Sequence, residues 1–174
     1  MNEKSIIAQY AFRVIELWVR DRKVFRIDSD VEELTQKAAC FVSIHRISDN
    51  SLRGCIGTLE PRHESLAEEI QHNAISAAEN DSRFTPVLPD ELSDLKVSVD
   101  VLSIPQKTSI EQLDPKKYGV IVEKDGMRRG VLLPNIEGVD SVEQQIRIVK
   151  RKANLSMFDN DELTFYRFTT TRHE

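Results

Sequence analysis

The sequence predicts an α+β fold, with a mainly antiparallel sheet packed with helices, in a single domain over residues 1–174. Short segments with two-residue alternation of apolar side chains occur in pairs around turn-forming residues, which is typical of hairpins. Longer segments with three- and four-residue apolar spacing, typical of amphipathic helices, lie between them. At 174 residues and 20.0 kDa, the chain has the length of one domain with one core.

The first predicted element is an amphipathic helix over residues 3–20, interpreted as a core-packing helix. Its apolar face consists of Ile6, Ile7, Tyr10, Ala11, Val14, Leu17 and Trp18. A hairpin follows, with strands over residues 39–46 and 52–59. If Asp49 and Asn50 are its loop residues, Ile44 lies opposite Cys55, and Cys40 is too far from Cys55 for a disulfide.

The middle of the chain predicts a helix and a strand. Ser65 and Glu68 have the spacing of a capping box, and an alanine-rich apolar stripe follows them as far as Asn80. Prolines then interrupt the chain, since proline cannot continue a helix or donate to a sheet. Residues 96–102 alternate between valines and polar side chains, which predicts a half-buried strand.

The last third of the chain predicts a second hairpin, a helix and a closing strand. Asp125-Gly126 is a strong two-residue turn signal between strands over residues 118–124 and 127–133, which sets Glu123 opposite Arg128. Ser141 and Gln144 then form a second capping box, which opens a helix to about residue 153. Residues 163–170 predict the final strand.

Composition and charge exclude several classes of protein. The net charge of −5 argues against broad attraction to nucleic acid or anionic membranes. No apolar stretch approaches the roughly 18 residues of a membrane span, and the N-terminus lacks a secretory signal, so a cytoplasmic location is expected. The four histidines lack metal-ligand spacing, so no metal site is expected, and the absence of dinucleotide and phosphate-loop motifs leaves the cofactor unknown.

The segment Leu52-Arg53-Gly54-Cys55-Ile56-Gly57 is the strongest candidate for a site, because glycines inside a strand cost backbone entropy and packing. On a regular strand, Arg53, Cys55 and Gly57 share one face. Arg53 then favours the thiolate of Cys55, and Gly57 leaves room for a ligand. The alternative interpretation is a bulged strand with a buried, inert cysteine.

Two other charged segments are candidates. Asp81 and Arg83 can serve either as ligand contacts near the hairpin or as a structural Asp–Arg lock, and the local pattern favours the lock. The basic segment Arg147 to Lys152 ends in Lys150, Arg151 and Lys152, whose place in the last turn of the predicted helix favours complementing the helix dipole over binding phosphate. Nucleic-acid binding through this segment conflicts with the acidic total charge.

The hexapeptide and its flanking blocks closely resemble the AMMECR domain family. The resemblance covers most of residues 38–155, and it departs from the family pattern at Ser82, which replaces a proline, and at Asn154, which replaces a glycine. Its matching blocks are residues 38–44, 77–78, 81–84, 91–92, 97–103, 130–134 and 152–153. It implies an α+β domain in two lobes with a cleft near the hexapeptide.

The resemblance supplies no activity. It implies, for microbial members, association with Memo-like and radical-SAM proteins, and a role in transcription, replication, repair or translation machinery is an alternative. Our leading hypothesis is a binding or accessory domain for a small ligand or protein partner. Its candidate ligand-binding residues are Arg53, Gly54, Cys55, Gly57, Asp81 and Arg83. The competing enzyme hypothesis makes Cys55 a nucleophile or redox group, without an evident partner base.

Overall fold

The computed structural model describes residues 5–25, 31–159 and 162–174. The chain forms two compact units, Met1–Val101 with Thr171–Glu174, and Leu102–Thr170. The helices are α1 (Ile6–Asp21), α2 (Glu32–Thr35), α3 (Leu66–Glu79) and α4 (Val142–Lys152). The strands are β1 (Cys40–Arg46), β2 (Leu52–Gly57), β3 (Leu95–Leu102), β4 (Gln106–Thr108), β5 (Gly119–Lys124), β6 (Arg128–Leu132), β7 (Thr164–Phe168) and β8 (Thr170–His173). Antiparallel sheets packed with helices confirm the predicted α+β class.

The first unit contains a four-stranded sheet in the order β2-β1-β3-β8, with α1 and α3 contributing to its apolar core. Strand β1 alternates as predicted, because Cys40, Val42 and Ile44 are fully buried in that core. Its other positions, Phe41, Ser43 and His45, therefore lie on the opposite face of the sheet. The remaining large core residues include Tyr10, Val14, Ile15, Leu66, Ile70 and Val99.

The register of the first hairpin differs by one residue from the prediction. Ser43, not Ile44, lies opposite Cys55, and Ile44 lies opposite Gly54. The strands end at Arg46 and resume at Leu52, so the loop is longer than two residues. Both cysteines are free, as expected.

The second unit contains a sheet in the order β4-β7-β5-β6, packed with α4. Its hairpin register also differs from the prediction, because Lys124, not Glu123, lies opposite Arg128. The chain between these strands comprises three residues, of which Asp125 and Gly126 have positive φ. The core of this unit includes Val120, Val122, Leu132, Val149 and Phe165.

The predicted final strand over residues 163–170 contains β7, and a further strand, β8, begins at its last residue and belongs to the other sheet. β7 pairs with β4 and β5, whereas β8 lies beside β3. At Thr169, between these strands, the backbone N–H donates to the Ser103 hydroxyl at 2.9 Å, and the carbonyl accepts from the Ser103 N–H at 2.9 Å. The chain therefore changes sheets at a residue whose backbone groups are hydrogen-bonded outside the ladder.

Of the two predicted capping boxes, one forms completely. Ser141 accepts from the Gln144 N–H at 3.2 Å, and the Gln144 side chain accepts from the Ser141 N–H at 3.1 Å. Ser65 accepts from the Glu68 N–H at 3.3 Å, but the Glu68 carboxylate accepts from the Glu64 N–H instead. Within the described ranges, no helix combines the length and the apolar character that crossing a bilayer requires.

Candidate functional site

Cys55 lies half-buried on β2, on the sheet face opposite the apolar core. Ser43 is directly across the ladder, and its hydroxyl donates to the Cys55 Sγ at 3.3 Å. Ser98 of β3 lies on the other side of Ser43, so the three side chains form a row across neighbouring strands. The immediate polar neighbour of the sulfur is thus a hydroxyl donor on the adjacent strand.

Asp81 and Arg83 form the predicted lock immediately after α3. Asp81 is 5% exposed, and its Oδ2 accepts from the Cys55 N–H at 2.9 Å and from Arg83 Nη2 at 2.7 Å. Its Oδ1 accepts from the Arg83 backbone N–H at 3.1 Å and from Arg83 Nε at 2.9 Å. A single buried carboxylate therefore fixes both the Arg83 side chain and the backbone of the hexapeptide.

The electrostatics of the lock keep both groups charged. Hydrogen bonds from Arg83, and then from the backbone N–H groups of Cys55 and Arg83, hold the pKa of the Asp81 carboxyl well below its usual range. The same pairing raises the pKa of Arg83. The Arg83 side chain nevertheless remains 56% exposed. Its Nη2 also reaches the Cys55 carbonyl at 3.3 Å, whereas Nη1 makes no hydrogen bond with any described residue.

The Arg53 side chain is buried and does not lie on the sheet face that carries Cys55. The register shifts between Ile44 and His45, so that His45 pairs with Leu52 and Arg53 has no partner across the ladder. A bulge of this kind redirects a side chain. Regular alternation would have kept Arg53 on the face of Cys55, so the shared face predicted for them is not formed.

The Arg53 side chain is 6% exposed, and its guanidinium donors are engaged within the first unit. Nε and Nη2 each donate to a Glu91 carboxylate oxygen at 2.8 Å, and Nη1 donates to the Thr85 carbonyl at 2.9 Å. Nη2 also reaches the Pro86 carbonyl at 3.3 Å. Hydrogen bonding from Arg53 lowers the pKa of Glu91 to about 2. Arg53 therefore holds the segment after Arg83 against β2.

The two glycines of the hexapeptide permit close packing. A Cβ on Gly54 would lie 2.2 Å from the Ala77 carbonyl oxygen of α3. A Cβ on Gly57 would lie 2.3 Å from the Phe41 ring, which occupies the space that the sequence suggested for a ligand. Gly54 thus allows β2 to pack closely against the backbone of α3, and Gly57 allows it to pack closely against the Phe41 ring. Neither glycine opens a cavity.

Of the six predicted ligand-binding residues, the structure brings Cys55, Asp81 and Arg83 into mutual contact. Arg53, Gly54 and Gly57 surround that group as packing and positioning residues. Two residues of the site were missed from the sequence, Ser43 and Glu91. The two-residue alternation places Ser43 on the face opposite the core, but nothing in the sequence pairs Glu91 with an arginine 38 residues away.

A groove of about 1500 Å³ in the first unit is lined by residues of α1 and by residues of β1, β3 and β8. Its lining includes His45, Lys96, Ser98 and Arg172. Burial, and then the charges of Lys96 and Arg172, lower the pKa of His45 against an opposing effect of Glu174. Among the residues that the structure describes, no cluster of three or more histidine, cysteine or acidic side chains suits a metal ion.

Comparison with known proteins gives a family match over nearly the whole chain. The family model described as AMMECR1 matches residues 8–173. A protein of Thermotoga maritima is 53% identical over 169 residues, covering 95% of each chain. A protein of Clostridium acetobutylicum is 49% identical over 138 residues, which are 79% of this chain but 28% of that protein. A protein of Methanocaldococcus jannaschii is 35% identical, covering 97% of this chain and 88% of that one.

A solved structure has the same fold. The crystal structure of an uncharacterised protein from Pyrococcus horikoshii superposes with a TM-score of 0.81 at 30% sequence identity. The match covers 95% of this chain and 88% of that chain. Similarity therefore extends over both compact units.

Proposed function

The chain belongs to the AMMECR1 family, and on that premise we propose that its first unit binds an anionic small molecule at Cys55, Asp81 and Arg83. The proposal rests on the fixed orientation and the exposure of the Arg83 side chain. Its guanidinium is fixed by a buried carboxylate, yet 56% of its side chain is exposed beside Cys55. A guanidinium held in one orientation loses little entropy when it binds a carboxylate or phosphate oxygen.

The Asp81 contacts leave one edge of Arg83 for a ligand. Asp81 engages Nε and Nη2, so Nη1 is the donor that remains. Because the pKa of Asp81 is well below its usual range, the lock persists at neutral and mildly acidic pH. In the Cys55–Ser43–Ser98 row, the half-buried Cys55 adds a thiol that can contact the remainder of the ligand, whereas Ser43 and Ser98 are buried and support it.

The first experiment compares small molecules that co-purify with the protein from a cell extract. We expect mass spectrometry to find an anionic compound enriched on the wild type and lost from Arg83→Gln. A hydrogen bond from a charged donor contributes about 2 kcal/mol, so affinity should fall by roughly thirtyfold. Arg83→Lys should recover part of the binding, since it keeps the charge without the planar donor edge.

Arg128→Gln is the matched control for this experiment. Arg128 also forms a local ion pair with a nearby aspartate, Asp125, and its side chain is 43% exposed, but it belongs to the second unit. We expect Arg128→Gln to retain the compound. Equal retention by Arg83→Gln, with its melting temperature unchanged, would contradict the proposal.

A cysteine-dependent reaction is the second candidate function, and the contact between Ser43 and Cys55 favours it. A hydroxyl 3.3 Å from Sγ can hydrogen-bond the sulfur and orient it as a nucleophile. We expect Cys55 to react with iodoacetamide at neutral pH faster than free cysteine, and Ser43→Ala to slow the reaction. Cys40 is the internal control, because burial raises the pKa of its thiol to about 12. Labelling of Cys55 at the rate of free cysteine, unchanged by Ser43→Ala, would contradict this function.

A protein partner fits the accessory part of the proposal. The family resemblance suggests a Memo-like or radical-SAM protein as that partner. The Clostridium relative supports the proposal of a protein partner, because its matched region is only 28% of that protein, the rest being additional chain. We expect the tagged protein to retain a Memo-like protein or a radical-SAM protein of the same organism during affinity purification. If neither protein is recovered from an extract that contains both, the proposal of this partner is wrong. The ligand site is tested separately by the Arg83 variants.

A further inference from the structure

The basic segment at the end of α4 divides into two pairs of residues with different surroundings. Lys150 is 4% exposed, and its Nζ donates to the Met157 carbonyl at 3.4 Å. Lys152 donates to the Val131 carbonyl at 3.0 Å. Arg147 and Arg151, by contrast, are exposed, and neither side chain makes an ion pair or hydrogen bond with a residue of the described ranges.

Arg147 and Arg151 lie one helical turn apart on the same face of α4. Together with Leu155 and Met157 they line a hollow of about 550 Å³. Phe158, the next residue along the chain, is 91% exposed, and Met157 is 52% exposed. Two guanidinium groups that no described residue engages thus lie beside an apolar surface that the described part of the second unit leaves open to solvent.

We propose that this surface docks an acidic segment of a protein partner. Two carboxylates of the partner pair with Arg147 and Arg151, and an apolar side chain between them enters the hollow over Leu155 and Met157. Arginine suits this task because its planar donors match a carboxylate, and methionine suits it because its flexible side chain adapts to different apolar groups. The proposal uses residues of the second unit alone and does not depend on the ligand site at Cys55.

Charge and composition favour a protein over a nucleic acid as the occupant. Binding to nucleic acid draws its affinity from many cations along the phosphate backbone. Here Lys150 and Lys152 are engaged within the fold, which leaves two arginines in this segment, and the chain carries a net charge of −5. The exposed Phe158 and Met157 instead match the apolar anchors that are enriched at protein interfaces.

A fluorescein-labelled peptide with two glutamates flanking a phenylalanine tests the proposal, with binding to the full chain measured by fluorescence anisotropy. We expect binding that weakens as salt increases, since exposed charges are screened. Arg147→Gln with Arg151→Gln should lower the affinity by about tenfold, equivalent to about 1.4 kcal/mol. Phe158→Ser should also weaken binding, and a peptide with glutamine in place of glutamate should bind no better to the wild type than to the double variant.

Arg20→Gln is the matched control, because Arg20 is an exposed arginine in the last turn of α1, in the first unit. It should bind the peptide as the wild type does. The melting temperature of the double variant, measured in parallel, excludes loss of α4 as the cause. Equal affinity of the double variant and the wild type would overturn the proposal, and so would tighter binding of a polyuridylate oligonucleotide than of the acidic peptide at the same salt concentration.

Discussion

The buried Arg53 and the half-buried Glu91 form an ion pair that connects β2 to the segment before β3. The guanidinium contacts the carboxylate through two 2.8 Å hydrogen bonds, and the Leu88 N–H also donates to the carboxylate at 3.0 Å. Breaking such a pair by removing one partner leaves an uncompensated buried charge. Arg53 therefore contributes to stability through a residue that local sequence patterns do not identify.

We predict that Glu91→Gln destabilises the first unit by roughly 3 kcal/mol, because Arg53 then lacks its counter-charge. The pKa of Glu91 is about 2 in the folded protein and about 4.5 ordinarily. The pair thus stabilises the fold above pH 4.5, and this contribution is lost as the pH falls from 4.5 towards 2. Urea unfolding followed through Trp18, the single tryptophan, measures the change at neutral and acidic pH.

Glu64→Gln is the control for this prediction. Glu64 pairs with Lys37 at 2.9 Å, but its side chain is 87% exposed. Exposed ion pairs contribute little to stability, so we expect no measurable change at neutral pH. If Glu91→Gln were as stable as Glu64→Gln at neutral pH, the assignment of a stabilising role to the buried pair would be wrong.

For single residues, the sequence predicts contacts between side chains that are close together along the chain. Asp81 and Arg83 are two positions apart, and the lock between them is confirmed. Glu91 could not be predicted as the partner of Arg53, because the contact depends on a register shift and on how the chain through α3 returns to β2, and the two residues are 38 positions apart in the sequence. The ligand-binding role of the site stays a prediction.

Among the larger elements, the connection from β2 to α3 is held by one buried carboxylate. Glu69 is 1% exposed, and it accepts from the Thr58 hydroxyl and from the backbone N–H groups of Arg62 and His63, the latter two at 2.8 and 3.0 Å. A carboxylate without a proton can accept about four hydrogen bonds, so it can accommodate all three of these donors. The helix thus orders the loop that follows the hexapeptide.

We predict that Glu69→Gln loosens this loop, because an amide presents a donor group where the carboxylate presents only acceptors. Each unsatisfied buried donor costs about 1–3 kcal/mol, so the Arg62 and His63 amides should exchange with solvent about tenfold faster or more. Hydrogen exchange measured by NMR reports these amides directly. Glu68→Gln, at the neighbouring exposed position, should leave their exchange unchanged, and equal effects of the two variants would contradict the prediction.

The sequence predicted the four main hairpin strands, three of the helices and strand β3, but it missed the registers of both hairpins. Turn residues such as Asp125-Gly126 indicate where a hairpin turns, whereas the register depends on how many loop residues the strands leave unpaired. The sequence also did not predict the break at Thr169, where β7 ends and β8 begins. Apolar and β-branched residues continue across it, and the hydrogen bonds that replace ladder pairing there are made with Ser103, 66 positions away in the sequence.

At the level of the whole molecule, both units follow the same packing rule. Each has an apolar cluster of its own, and in each a strand glycine touches the backbone of a helix. A Cβ on Gly54 would lie 2.2 Å from the Ala77 carbonyl oxygen of α3, and a Cβ on Gly130 would lie 2.2 Å from the Val149 carbonyl oxygen of α4. The two glycines allow helix and strand to approach more closely than any side chain would permit.

We predict that Gly54→Ala and Gly130→Ala each destabilise their own unit by about 1–3 kcal/mol, because a rigid backbone carbonyl must move to admit the methyl group. Hydrogen exchange followed by mass spectrometry should show faster exchange across β1, β2 and α3 in the first variant, and across β5, β6 and α4 in the second. Gly138→Ala separates this clash from backbone strain, since its Cβ meets no atom within 4 Å but its φ is +77°. It should cost about 1 kcal/mol, confined to its own loop. The same exchange pattern in all three variants would mean that close helix–strand packing does not set the stability of either unit.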